Sequence, residues 1–184
     1  MCDVTLQMGC GFILAGPTSC GIFSNFLADF FKKLLVIILY FSPGKSSFIR
    51  DMIKCKDVMF NRNIKNVYLV CSNMQNIYED LVKTKDIKKI FYEMPTEAEI
   101  LDIAQTEKHR GGTILILDDI LPEIEKANLF IQKLFTETCH HYSMSVFLCV
   151  QNLFYNNGVF RTLSRNAAYL IPFKNPRDKV NSYN

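Results

Sequence analysis

The sequence predicts an α/β fold built on a mostly parallel sheet with helices on both faces. Apolar runs of strand length alternate with amphipathic segments of helix length along the chain. Within the runs, consecutive positions are apolar rather than every second one. Strands covered on both faces give such runs, and a parallel pair needs a crossover, most often a helix. At 184 residues the chain is long enough for one such domain with a sizeable core.

The elements follow in order. GFILA (11–15) is a short buried strand that runs into Gly16-Pro17. SSFIRDMIKC, from Ser46, has helical spacing with Phe48, Ile49, Met52 and Ile53 on one side. NVYLVCS (66–72) is a strand rich in β-branched residues, and NMQNIYEDLVKTK is the helix after it. KKIFYEM (88–94) is a third strand. PTEAEILDIAQTEK (95–108) is a helix that opens on Pro95 and Thr96, with Glu97 and Glu99 in its first turn. GGTILILDD (111–119) is the clearest strand, four consecutive aliphatics after a Gly pair. PEIEKANLFIQKLFTETCHH (122–141) is a long amphipathic helix. SMSVFLCVQN (143–152) and AAYLIPF (167–173) are the last strands. Residues 22–44 do not fit, being dominated by Phe, Leu and Ile with no polar face where a helix is due.

Composition is that of a soluble globular chain, with 49% apolar and 21% charged residues and a mild formal charge of +3. That charge neither demands nor excludes a nucleic-acid partner. The seven cysteines include no C-x-x-C pair, so neither a disulfide framework nor a zinc signature is expected. Cys139, His140, His141 and Cys149 are close in sequence, but adjacent His residues on a helix point in different directions. Free thiols point to a reducing, intracellular compartment. No secretory signal is visible in MCDVTLQMGCG. LLVIILYF (34–41) is too short to span a bilayer, which takes about 20 apolar residues, so no membrane partner is expected.

The chemistry lies in four motifs. Residues 16–21, GPTSCG, are the front of the G-x-x-x-x-G-K-[ST] phosphate loop, and GKSS, residues 44–47, supplies its end. Without 22–44 the chain reads FILAGPTSCG-KSSFIRDMI: a strand, a complete loop and a helix starting on cue. Gly16, Pro17, Thr18, Ser19, Cys20, Gly21, Gly44, Lys45, Ser46 and Ser47 are then the nucleotide-binding set. Backbone N–H groups and the helix start cradle phosphates, Lys45 reaches the β- and γ-phosphates, and Ser46 ligates Mg²⁺. TILILDD ends a parallel strand on acid, which places Asp118 to hold Mg²⁺ and Asp119 to polarise an attacking water. VFLCVQN brings Gln151 and Asn152 to the same edge, where Gln151 can orient water or sense the γ-phosphate. ATP and Mg²⁺ are the expected ligands.

The fourth motif is the tail, QNLFYNNGVFRTLSRNAAYLIPFKNPRD. With GPTSCG…KSSF, LILDD and VQNLF, it resembles the DNA-packaging ATPases of Polinton/Maverick elements and their viral relatives, in the HerA/FtsK superfamily of P-loop ATPases. The resemblance covers almost the whole chain outside 22–44. It implies an additional-strand P-loop ATPase that works as a homo-oligomeric ring, pumping double-stranded DNA into a capsid, with capsid proteins as further partners. Nuclear or virion-associated work fits that role. Arg161 and Arg165 become candidates for a neighbouring subunit's γ-phosphate, and Lys174 and Arg177 for DNA or a subunit contact. Such families usually continue past the point where this chain ends, at NPRDKVNSYN, so a C-terminally truncated domain is expected.

The split loop has three readings: a real structural element in a reshaped site, decay of a mobile element, or a translated intron. The third makes a codon-level prediction. Gly21-Ile22 can be encoded with a GTAT donor-like start, and Pro43-Gly44 with a CAG acceptor; joining them leaves one Gly before Lys45. The split also keeps open a non-hydrolysing subunit that retains only fold and oligomer contacts. Another P-loop enzyme, such as a helicase or a nucleotide kinase, is the remaining alternative. A kinase would need an arginine-bearing lid, and no such segment is visible.

Overall fold

A computed structural model describes residues 11–15, 44–60, 63–107, 111–120, 128–142, 144–150, 158–167 and 169–172. Gly16, Pro17, Thr18, Ser19, Cys20, Gly21, the segment 22–43, Gln151, Asn152, Lys174 and Arg177 lie outside the described residues.

The strands are β1 Gly11–Ala15, β2 Ile64–Cys71, β3 Lys89–Phe91, β4 Gly112–Asp118, β5 Met144–Val150 and β6 Tyr169–Pro172. Among the described residues they form one six-stranded sheet in the order β3-β2-β4-β5-β1-β6. Every neighbouring pair is parallel. The helices are α1 Lys45–Lys54, α2 Lys56–Met59, α3 Asn76–Lys83, α4 Glu97–Glu107, α5 Asn128–Lys133, α6 Cys139–Tyr142 and α7 Gly158–Asn166.

Side-chain alternation along the strands sorts the core into two layers. Val67, Leu69 and Cys71 of β2, Ile114 and Ile116 of β4, and Phe147 and Cys149 of β5 face α1 and α3. There they pack on Phe48, Ile49, Met52 and Ile53, as the helical spacing predicts, and on Tyr78 and Leu81. Tyr68, Val70, Leu115, Leu117, Val146 and Leu148 face the other way, against Ile100, Ala104, Ile131, Leu134 and Phe135. Both β4 and β5 are buried at all seven positions. That accounts for the unbroken apolar runs Ile114–Leu117 and Val146–Val150, since a two-sided cover buries both faces of the strand.

Strand β3 is shorter than KKIFYEM suggested. Among the described residues it lies at the sheet's edge and pairs only with β2, over three residues. Helix α4 begins as predicted and is closed by a capping box. The Glu99 N–H donates to Thr96 Oγ1 at 3.3 Å, while Glu99 Oε2 accepts from the Thr96 N–H at 2.9 Å. The long helix expected over 122–141 is described from Asn128 to Tyr142, and it is not uniform: Leu134–Thr138 is a π-helical turn. The Cys139 N–H bonds to the Leu134 carbonyl, and its thiol donates to the same oxygen at 2.9 Å.

At the end of the sheet away from the strand C-termini, a polar cluster joins three elements. The Asn66 amide donates to Glu107 Oε2 at 2.6 Å, and Lys88 Nζ donates to Glu107 Oε1 at 2.6 Å and to Asn66 Oδ1 at 3.1 Å. Glu107 is buried at the C-terminal end of α4, where the helix dipole disfavours an anion. Lys88 supplies the compensating charge. Replacing Lys88 by Met is expected to cost about 1–2 kcal/mol, the half-exposed ammonium placing the loss at the lower end for a charged hydrogen bond. Thermal melting should fall by roughly 2–8 °C; an unchanged transition would show that Glu107 needs no cation.

Candidate nucleotide-binding site

Helix α1 starts directly at Lys45, with Gly44 as its N-cap. Gly44 has φ +146° and ψ 154°, a backbone region that essentially only glycine enters. Its carbonyl accepts the Phe48 N–H at 3.0 Å and so starts the helix ladder. The G-K-S end of the phosphate loop therefore has its expected local structure with residues 22–43 in the chain.

Lys45 and Ser46 are buried, 2% and 7% exposed, unusual for a lysine and a serine at a helix start. Lys45 Nζ donates to the Val150 carbonyl at 3.1 Å, at the C-terminal end of β5. Strand β5 stands between β1 and β4, pairing with both. This interposed strand separates the strand leading into the phosphate loop from the strand that ends in acid.

Asp118, the last residue of β4, is 3% exposed. It faces α1 and α3, because β4 alternates and Ile114 and Ile116 already do. Asp118 Oδ2 accepts the Tyr78 hydroxyl at 2.6 Å and the Gln75 amide at 3.4 Å. Burial pushes its carboxyl up from the ordinary range, while the Tyr78 hydroxyl and the Lys45 ammonium act against the rise. Across the sheet, Asp118 pairs with Cys71 on one side and Cys149 on the other. Burial, and then the Asp118 charge, raise both thiols, Cys71 to about 11 and Cys149 well above its usual value.

Among the described residues, the Ser46 hydroxyl is buried and has no partner at good hydrogen-bond geometry. A buried orphan of this kind is costly unless a ligand completes it. The Tyr78 hydroxyl, bonded to Asp118, also feels the Ser46 hydroxyl, which ties the two predicted Mg²⁺ ligands to one spot. The donor set suits a hard cation: a hydroxyl, a carboxylate and a neighbouring ammonium for phosphate oxygens. Ser46 and Asp118 would hold Mg²⁺, and Lys45 would meet the phosphates.

Asp119 is exposed and has φ +56°, a left-handed conformation that Asp tolerates better than most residues. Its carbonyl accepts the Ser72 hydroxyl at 3.4 Å. Ser47 is half-buried on α1. Arg161 and Arg165 lie four apart on α7, both exposed, while Leu163 between them is buried. The structure thus brings Lys45, Ser46 and Asp118 together at the C-terminal edge of the sheet and leaves the two arginines on an outer helix. Sequence reasoning missed Tyr78 and Gln75. A tyrosine at a core position of an amphipathic helix reads as packing, and nothing local marks it as a carboxylate's partner.

The strand order, with β5 interposed, and a helix opening on Gly-Lys-Ser define the P-loop ATPase fold of the additional-strand type. Two solved structures of EccC from Thermomonospora curvata share it. One holds its ATPases 2 and 3 in complex with a signal sequence peptide, with a TM-score of 0.50 and 9% identity, covering 85% of this chain. The other is the cytoplasmic domain of this type VII secretion ATPase, with a TM-score of 0.52 and 10% identity, covering 91%. The match spans 28% and 20% of those chains. At such identities the likeness is one of fold. No family model and no curated protein matches the sequence. Among the described residues, no helix is long and apolar enough to cross a membrane.

Proposed function

We propose that the chain is the ATP-binding and hydrolysing domain of a ring-shaped motor that moves double-stranded DNA in a virus-like mobile element. The observation that carries the ATPase part is the assembly of buried Lys45, the orphaned Ser46 hydroxyl and buried Asp118 around the end of the interposed strand. Lys45 holds the β- and γ-phosphates and offsets their charge. Ser46 and Asp118 bind Mg²⁺, which supplies charge neutralisation on the phosphate oxygens when bound. Asp119 polarises the attacking water and Gln151 orients it. Arg161 and Arg165, exposed on α7, reach the γ-phosphate of a neighbouring subunit.

The DNA-packaging part is supported by the resemblance of VQNLF and RTLSRNAAYLIPFKNPRD to Polinton/Maverick packaging ATPases. ATP turnover measured with linear double-stranded DNA, with an unstructured polypeptide and with neither tests it. DNA is expected to raise the rate. A rate indifferent to DNA removes the DNA reading and leaves the ATPase reading standing. The second reading, a subunit that binds neighbours without turning over ATP, is favoured by one feature: Lys45 stands 24 positions after Gly21 instead of next to it (45 − 21).

A further inference from the structure

Helix α3, which follows β2, packs in the same core layer as α1 and reaches the end of the acidic strand. The connection from β2 to α3 touches both acids: Ser72 bonds to the Asp119 carbonyl, and Gln75 and Tyr78 bond to Asp118. Tyr78 is fully buried. Its bond to Asp118 Oδ2, 2.6 Å, has the length of a charge-assisted hydroxyl–carboxylate bond. An ionised carboxylate accepts only, so the phenol is the donor. Gln75, at the N-cap of α3, adds a longer contact to the same oxygen. One carboxylate oxygen is therefore occupied by two donors from one helix start.

We propose that Tyr78 and Gln75 are positioning residues that hold Asp118 in the orientation needed to bind a divalent cation beside Ser46. The inference rests on the reading of Lys45, Ser46 and Asp118 as a Mg²⁺–nucleotide site. An aspartate at a strand end has two rotatable bonds and a cation, Lys45, within electrostatic reach. Two donors on Oδ2 fix the carboxylate plane and keep the group from turning towards Lys45. Partners of this kind, one shell out from a metal, commonly set affinity by orienting the ligand.

The test uses Tyr78→Phe, which keeps the ring and removes the donor, in the full chain and in the form lacking residues 22–44. Mn²⁺ affinity of the protein–ADP complex is read from the free-Mn²⁺ paramagnetic resonance signal. Nucleotide affinity is read separately, in EDTA, with a fluorescent ADP analogue. Tyr78→Phe is expected to weaken Mn²⁺ binding by about 10–100-fold. Nucleotide affinity in EDTA stays unchanged, and excess Mn²⁺ restores the complex. If Tyr78→Phe does not fold, Gln75→Met at its partly exposed position takes its place, with a smaller loss in the same direction. Unchanged Mn²⁺ affinity overturns the positioning role, and so does an equal loss of nucleotide affinity in EDTA, which marks general damage. Failure of both parent forms to bind nucleotide removes the site reading itself.

Discussion

Replacing Lys45 by Met is expected to lower ATP hydrolysis by about 10²–10³-fold, the range for removing one preorganised charge from a transition state. Melting should change little, because Met has nearly the same length and the bond to the Val150 carbonyl is lost at the sheet's edge. The loss is electrostatic: a buried cation acts at short range in a site with little water around it. Lys45→Arg is expected to fail as well. The position is 2% exposed, and a planar guanidinium needs a wider slot than a compact ammonium. The comparison is made on whichever form of the protein turns over ATP faster. Hydrolysis by Lys45→Met at the parent rate would remove the lysine from the mechanism.

The form lacking residues 22–44 is expected to hydrolyse ATP at least about 10²-fold faster than the full chain, the scale of loss for a site misplaced by about an ångström. Chain entropy is not the main term, since closing a longer loop costs only about 0.6 kcal/mol per doubling of its length. The decisive term is continuity. In the full chain helix α1 starts at Lys45, but 23 residues, 22–44, separate Gly21 from Lys45 in sequence. The shortened chain sets Gly21 before Lys45, at a backbone position that essentially only glycine enters. Equal turnover by the two forms would show that the segment loops out without harm. Sequencing the transcript shows which form is made: mature message that always retains the segment ends the intron reading.

Much of this arrangement was legible in the sequence because burial writes itself into periodicity. TILILDD became β4 and ended on Asp118, and Phe48, Ile49, Met52 and Ile53 became one buried face of α1. Lys45 and Ser46 were legible because G-K-S has a mechanism behind it. The π-helical turn was not, since Ile131, Leu134, Phe135 and Thr138 keep the spacing of an ordinary helix. Tyr78 was hidden for a different reason: its ring belongs to the core and only its hydroxyl to the site. The short reach of β3 depended on having a single neighbour, which is decided by the strand order and not by KKIFYEM itself.

The row Cys71, Asp118, Cys149 has a consequence for oxidation chemistry. Attack on peroxide or on a disulfide requires a thiolate. Both thiols beside the acid are held protonated, by burial first and by the Asp118 charge second. The carboxylate proposed to hold a cation thus adds to burial in keeping its sulfur neighbours protonated. They act there as small apolar fillers.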